Sequence, residues 1–274
     1  ISESERVKSI DLHPSQPWLL VGLHNGEVCD SPVRAAVFIA RKGLVVTGSD
    51  DKLVRVYDYG TGECLSEFEA HGDFVRSIAV HPTHSFILTC GDDGVIKQWN
   101  WDIDWQLEQT FTGHAHYVMQ IAINPKDSKT FASASLDGTV KLWQLGNSSA
   151  IHTFEGHEKG VNCVTFCPSE DTPYLISGSD DHTVKIWDYQ TKECVRILTG
   201  HTSNVTSVRF HQQLPLIIST EEYLGEEEGA VRMWNDKTYS LDTTLNEGFG
   251  RAWCVQTLKD TVVFGYDKGF VVST

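Results

Sequence analysis

GHEKGVNCVTFCPSEDTPYLISGSDDHTVKIWD, residues 156–188, contains the pattern that decides the fold of this chain. It opens on a Gly-His pair, continues through an alternating apolar segment to Ser-Gly-Ser-Asp-Asp, and closes on Trp-Asp. Histidines equivalent to the one in this pair recur at steps of 43, 43 and 44 residues, at His71, His114, His157 and His201. The closing aromatic recurs at steps of 42, 44, 44 and 47 residues, at Tyr57, Trp99, Trp143, Trp187 and Trp234.

A repeat of this length with these end marks is typical of a WD-repeat propeller, in which each repeat supplies one blade of β-strands. Seven units can be counted, so the sequence predicts an all-β, seven-bladed WD-repeat β-propeller that spans residues 1–274 as a single domain. Each unit begins with an alternating first strand, and its second strand ends in a turn of small residues. The first strands are predicted to begin near Val7, Val33, Val75, Val118, Val161, Val205 and Trp253.

Three places depart from the repeat. The first unit reads HNGEV at 24–28 and passes directly to CDSPVRA at 29–35, without most of a third and fourth strand. A closed propeller cannot lose two strands without exposing a sheet edge, so we expect residues to be missing from this sequence. The last unit ends at FVVST, and we expect its closing strand to lie upstream of Ile1. EEYLGEEEG at 221–229 is predicted to be a solvated loop.

Composition narrows the class of partner. The formal net charge is −15, which argues against nucleic acid, because nucleic-acid binding requires a concentrated basic face. The charge does not argue against a cationic peptide. The seven cysteines are scattered without a C-x-x-C motif, which favours reduced packing cysteines in a cytosolic protein. No apolar run approaches the roughly 20 residues of a transmembrane helix.

One repeated set of residues resembles a catalytic triad. Ser177, His157 and Asp181 recur with Trp187, and comparable sets occur in the two preceding units. A nucleophile is needed once, whereas a buried polar network is needed in every blade, so we interpret the sets as structural and predict no enzyme activity and no cofactor. His114 and His116 could suggest a metal site, but His114 already belongs to such a set. We therefore predict no metal site.

Function is expected at one mouth of the central channel. The residue before each turn aspartate and the first residues of each inner strand should point to its rim. Reading these positions around the ring gives a basic trio beside carboxylates and an aromatic: Arg6, Lys8, His24, Arg34, Asp50, Asp73, Asp92, Tyr117 and Asp180. The pattern fits either a mixed solvated rim or a site for a dipolar peptide. In the second interpretation arginine and lysine take a carboxylate, and Asp73 and Asp92 take an ammonium group.

Several stretches resemble one family. DWQLEQTFTGHAHYVMQIAINPKDSKTFASASLDGTVKLWQLG (104–146), SPVRAAVFIARKGLVVTGSDD (31–51), EAHGDFVRSIAVHPT (69–83) and SGSDDHTVKIWDYQTKECV (177–195) are similar to the N-terminal propeller of the coatomer β′-subunit family. Coatomer is a vesicle coat that acts between the Golgi and the endoplasmic reticulum. The resemblance implies binding of C-terminal dilysine signals (K-K-x-x and K-x-K-x-x) of membrane cargo.

The resemblance also implies roles for individual residues. It implies that Arg6, Lys8 and Arg34 hold the terminal carboxylate and that Asp73 and Asp92 hold the lysine. His24, Asp50 and Tyr117 would line the site, although His24 stands where the family leads us to expect an aromatic.

Partners and location follow from the same resemblance. It implies contact with other coatomer subunits, especially the α subunit, and with an Arf-family small GTPase. It implies peripheral association with Golgi membranes and coated vesicles from the cytoplasm, and a second propeller and an α-solenoid beyond Thr274. The alternatives are a substrate-recruiting propeller of a ubiquitin ligase, a signalling scaffold, and the α-subunit propeller. WQLEQTF and VMQIAINPKD favour the β′ family over the α family.

Overall fold

The structure is a computed structural model that describes residues 6–25, 31–169, 171–222 and 230–273. The described residues form antiparallel β-strands and two short 3-10 helices, Ala40–Lys42 and Trp101–Ile103. Within these ranges no helix is long and apolar enough to cross a membrane.

The strands follow one another as up-and-down sheets in chain order. The first unit forms a two-stranded sheet of β1 (Val7–Leu12) and β2 (Leu19–Leu23). Units two and three form four-stranded sheets, β3 (Val33–Ile39), β4 (Leu44–Ser49), β5 (Leu53–Asp58), β6 (Cys64–Glu69), then β7 (Val75–Val80), β8 (Phe86–Gly91), β9 (Ile96–Asn100) and β10 (Gln106–Phe111). Units four and five form β11 (Val118–Ile123), β12 (Thr130–Ser135), β13 (Val140–Gln144), β14 (His152–Phe154), then β15 (Val161–Phe166), β16 (Tyr174–Ser179), β17 (Val184–Asp188) and β18 (Glu193–Leu198). Units six and seven form β19 (Val205–Phe210), β20 (Leu216–Glu221), β21 (Val231–Asn235), β22 (Leu241–Leu245), then β23 (Ala252–Leu258), β24 (Thr261–Tyr266) and β25 (Gly269–Ser273).

The prediction of seven blades is wrong. The described residues form six blades, five with four strands and one with three, which belong to units two to seven. The first unit contributes only the β1–β2 sheet, which lies between the first and last blades because β1 contacts both β3 and β23. The repeat count rests on first and second strands, which the first unit has, whereas a complete blade also needs outer strands. The all-β propeller architecture is confirmed.

The core lies between neighbouring blades. All six residues of β8 are buried. Phe86, Leu88 and Cys90 pack with residues of the next blade, and Ile87 packs in the cluster of the preceding blade. The two-stranded sheet packs in the same way, with Val7 and Ile10 against Val263. Because sheets cover each other on both faces, the inner strands are rich in β-branched residues. The predicted starts of the first strands are confirmed to within one residue.

The repeated sets of a hydroxyl, a histidine and an aspartate form hydrogen-bonded networks within their blades, as predicted. The Trp143 indole N–H donates to the Ser133 hydroxyl at 2.8 Å, and this hydroxyl lies 2.7 Å from Nε2 of His114. Nδ1 of His114 lies 2.7 Å from Asp137. Burial alone would raise the pKa of the Asp137 carboxyl, but hydrogen bonds from His114 and Thr139 hold its pKa well below the usual range. The same connections recur in units three and five, around His71 and His157.

Unit six contains a fourth network that sequence analysis missed. His201 contacts Ser219 at 2.6 Å and Glu221 at 2.9 Å, and Arg232 also pairs with Glu221 at 2.9 Å. Glu221 is buried, so its assignment to a solvated loop is wrong. The rest of the predicted loop, apart from Glu222, lies outside the described residues. Glutamate replaces the usual turn aspartate here, which hid the network from the repeat pattern.

Removing one imidazole from these networks should destabilise the whole propeller. His114→Ala leaves Asp137 and Ser133 without their shared partner, so we expect the free energy of unfolding to fall by about 2–3 kcal/mol. His116→Ala is the matched control, because His116 is exposed two residues away, and it should change stability by less than about 0.5 kcal/mol. Urea denaturation measures both values. Equal effects of the two substitutions would contradict the structural role.

Candidate functional site

A β-bulge near the start of every inner strand builds the rim of the channel. In all seven sheets the pairing between inner and second strand skips one residue directly after the first pair, for example between Val7 and Ser9 and between Val33 and Ala35. A bulge leaves the extra residue unpaired and re-aims its side chain. The bulge residues are Lys8, Arg34, Arg76, Met119, Asn162, Thr206 and Trp253, and all of them line the central channel.

A second residue meets each bulge residue. It directly follows the second strand, and its backbone N–H donates to the carbonyl group two residues before the bulge residue. His24 donates to Arg6 at 2.9 Å, and Asp50 donates to Pro32 at 3.1 Å. We call these seven residues the turn residues: His24, Asp50, Asp92, Leu136, Asp180, Glu222 and Asp267. One bulge residue and one turn residue make a rim pair in each unit.

In four rim pairs a carboxylate holds the bulge residue. Arg34 donates two hydrogen bonds to Asp50, at 2.6 and 2.5 Å, and Arg76 donates two to Asp92 at the same distances. Asn162 donates to Asp180 at 2.7 Å, and the Trp253 indole N–H donates to Asp267 at 2.8 Å. In these four units, a carboxylate of the turn residue therefore fixes the side chain of the bulge residue that projects into the channel.

Lys8 lacks this acid. Its turn residue is His24, and among the described residues no carboxylate forms an ion pair with Lys8. The Lys8 ammonium group lies over the Trp253 ring instead, with Nζ 2.9 Å from the ring centroid. Burial, together with the charges of the Arg34 and Arg6 guanidinium groups, lowers the pKa of Lys8 to about 7. The first unit thus presents an amine that has no directly paired carboxylate among the described residues.

Asp267 organises the cations beside Lys8. It accepts an ion pair from Arg6 at 2.7 Å and another from Arg251 at 3.4 Å, in addition to the Trp253 hydrogen bond. Arg251 also donates to Glu222 at 2.9 Å. One carboxylate therefore positions Arg6, Arg251 and the Trp253 indole beside Lys8. The three basic side chains Arg6, Arg251 and Lys8 still share this part of the rim.

The acidic residues predicted to hold a lysine have different surroundings. Asp73 is half-buried, and its carboxylate accepts only the N–H of Phe74 at 2.8 Å within the described part of the chain. Asp92 is nearly fully buried and is neutralised by Arg76. Of the two, Asp73 is the carboxylate whose charge is available to a ligand.

The remaining predicted residues lie on the same rim. The pKa of His24 is lowered by its burial and by the charges of Arg34, Lys8 and Arg6, so the structure brings the basic trio together around it. Asp50 is occupied by Arg34. Tyr117 is exposed, and its ring centroid lies 6.0 Å from the guanidinium carbon of Arg76.

Sequence analysis missed four residues of this site: Arg76, Arg251, Trp253 and Asp267. The repeat could have revealed Arg76 and Trp253, which follow the strand start by one residue, and Asp267, which directly follows the second strand. Arg251 lies two residues before its bulge residue, as Arg6 does in unit one. The predicted rim positions end in unit five, whereas Arg251, Trp253 and Asp267 belong to unit seven, which meets unit one where the two ends of the chain come together. The described residues contain no group of three or more metal-binding side chains. The channel itself has a volume of about 570 Å³.

The fold and its networks define a class of protein, the WD-repeat propellers. The family profile "WD domain, G-beta repeat" matches residues 24–58, 62–100, 105–144, 148–188 and 192–235. This is more than half of the chain, and the chain therefore belongs to the WD-repeat family.

Within this class, the chain is similar to several curated proteins that share the same name. It is 54% identical to "Coatomer subunit beta'" of Rattus norvegicus over 287 residues, covering 98% of this chain. It is 52% identical to the protein of that name from Drosophila melanogaster and 54% identical to that from Homo sapiens, covering 99% of this chain in both cases. The chain spans 31% of the length of each of these three relatives.

The lowered pKa of Lys8 can be tested by introducing a carboxylate at the turn position of its rim pair. His24→Asp should place a carboxylate beside the ammonium group, as in the rim pair of Arg34, so the pKa of Lys8 should rise from about 7 toward 10.5. A pH titration of the Lys8 side-chain resonance by NMR measures this change. His84→Asp, in an exposed loop at the other end of β7, is the control and should leave the pKa unchanged. A pKa of Lys8 that stays near 7 in His24→Asp would contradict the assignment.

Proposed function

We propose that this chain is a non-enzymatic vesicle-coat domain that binds C-terminal dilysine tails, K-K-x-x or K-x-K-x-x, of membrane cargo for Golgi-to-endoplasmic-reticulum transport. The single observation that carries the proposal is the unbalanced charge at Lys8. A free peptide carboxylate has the charge and the size of the side-chain carboxylate that five of the other six rim pairs contain. The names of the similar curated proteins support a role in a coat, and favour the β′ subunit over the α subunit.

The basic end of the site supports a carboxylate ligand in two ways. Lys8 donates from a partly desolvated position, where a charge-assisted hydrogen bond is stronger than in water. Arg6 and Arg34 add positive charge, although Asp267 and Asp50 already hold them in place. Held cations lose little side-chain entropy when a ligand arrives, which favours binding.

The acidic end supports a lysine ligand at Asp73. Unit three lies next to unit two in the ring, because β3 contacts β7. A tail whose carboxylate lies at Lys8 can therefore pass along the rim toward Asp73 in an extended form. Asp92 contributes by fixing Arg76, and its exposed fraction of 4% leaves little carboxylate surface for direct contact with an ammonium group.

The wider setting follows from the relatives and is part of the proposal. The chain would act within a larger coat subunit that contacts other coatomer subunits, especially the α subunit, and an Arf-family small GTPase. It would associate peripherally, from the cytoplasm, with Golgi membranes and coated vesicles. Basic tails suit a chain of net charge −15, because long-range attraction speeds their association.

A terminal carboxylate should be required. We expect a peptide that ends in K-x-K-x-x to bind, and its C-terminal amide to bind at least about tenfold more weakly, because the amide cannot neutralise Lys8. Isothermal titration calorimetry of the two peptides measures the difference. Binding should also weaken above pH 7, since the ligand requires protonated Lys8 and the free group titrates with a pKa of about 7. Equal affinity of acid and amide would overturn the proposal.

Charge reversal at Asp73 should remove lysine recognition without unfolding the protein. Asp73→Lys places two ammonium groups together, so we expect peptide affinity to fall at least about tenfold. The melting temperature should change by less than about 2 °C, because the carboxylate makes only one local hydrogen bond. Asp242→Lys, on the exposed strand β22, is the control and should bind like the unsubstituted chain. Unchanged affinity in Asp73→Lys would contradict this role.

A further inference from the structure

The rim pair of unit four differs from all the others. Its bulge residue is Met119 and its turn residue is Leu136, whereas both members of the other six pairs can form hydrogen bonds. Both side chains are partly exposed and both line the mouth of the channel. Among the seven described rim pairs, this one offers apolar side chains to a ligand.

Tyr117 extends this apolar surface outward. Its carbonyl accepts the N–H of Leu136 at 3.0 Å, which holds the two loops side by side. The Tyr117 ring is 37% exposed and packs against His116 with 4.4 Å between ring centroids. We call Tyr117, Met119 and Leu136 the apolar notch.

Charged groups bound the notch on both sides. On one side is the ion pair of Arg76 and Asp92, with Arg76 against the Tyr117 ring. On the other side, Gly160 allows a close approach, since a Cβ there would lie 2.7 Å from a methyl group of Leu136 and 3.3 Å from Asp180. Because Asp92 is neutralised by Arg76, the negative charge beside the notch is that of Asp180, which accepts a hydrogen bond from the neutral Asn162 amide. Apolar surface beside this carboxylate matches an apolar side chain next to a basic residue.

We propose that the apolar notch binds an aliphatic side chain of the dilysine tail, the residue immediately before the first lysine. This inference rests on the proposed function. Units one to four follow one another around the ring, so the carboxylate site, Asp73 and the notch lie in that order. An extended tail advances about 3.3 Å per residue and meets them in the same order from its C-terminus. The flexible methionine side chain adapts to aliphatic side chains of different shape. We therefore expect the notch to prefer aliphatic over polar residues without requiring one particular residue.

The test compares two peptides that end in K-x-K-x-x with a free carboxylate and carry leucine or serine before the first lysine. On the unsubstituted chain we expect the leucine peptide to bind about five- to tenfold more tightly in calorimetry, because it removes apolar surface from water. In Met119→Gln, which keeps side-chain length, the ratio should fall below about twofold. Leu107→Gln, at an exposed leucine of β10, is the control and should keep the full ratio.

The outcomes separate this inference from the proposed function. Equal binding of both peptides by the unsubstituted chain overturns the notch and leaves the dilysine site standing. Failure of both peptides to bind overturns the proposed function itself. If Met119→Gln does not fold, as judged by its melting curve, Tyr117→Gln replaces it, because Tyr117 is exposed. A ratio that stays at five or more in the folded variant also overturns the notch.

Discussion

The extra residue in every inner strand is the constraint on which the candidate site depends. Without the bulge, strict alternation would carry the second residue of the strand toward a neighbouring blade. With it, seven side chains project into one mouth of the channel, each next to a turn residue. The scaffold thus determines where ligand-facing groups stand, and the sequence of each unit determines only what they are.

Two consecutive aspartates in the same turn bind different partners, one within the blade and one on the rim. Asp93 is bound to His71 within its blade, while Asp92, one residue earlier, turns to Arg76 on the rim. Asp181 and Asp180 divide in the same way between His157 and Asn162. Consecutive residues can do this because their side chains leave the backbone in different directions. Blade stability and rim chemistry can therefore vary independently from unit to unit.

Lys8 shows how binding capacity is maintained at some cost to stability. Its desolvation and the nearby arginines disfavour its charged form, which is why its pKa is low. The carboxylate of Asp267 reduces the repulsion between Arg6 and Arg251, and by accepting the Trp253 indole N–H it fixes the ring over which the Lys8 ammonium group lies. Such an arrangement is characteristic of functional sites, where a ligand supplies the missing interaction.

The sequence alone determined the repeat, the starts of the inner strands, the hydrogen-bonded networks around His71, His114 and His157, and part of the candidate residues on the rim. These depend on local spacing, which the chain repeats. Tertiary structure decided that the described residues form six blades, that Asp92 pairs with Arg76, and that Asp267 joins the last unit to Arg6 of the first. Spacing cannot reveal these, because pairing of strands and charges depends on which groups meet across units when the ring closes.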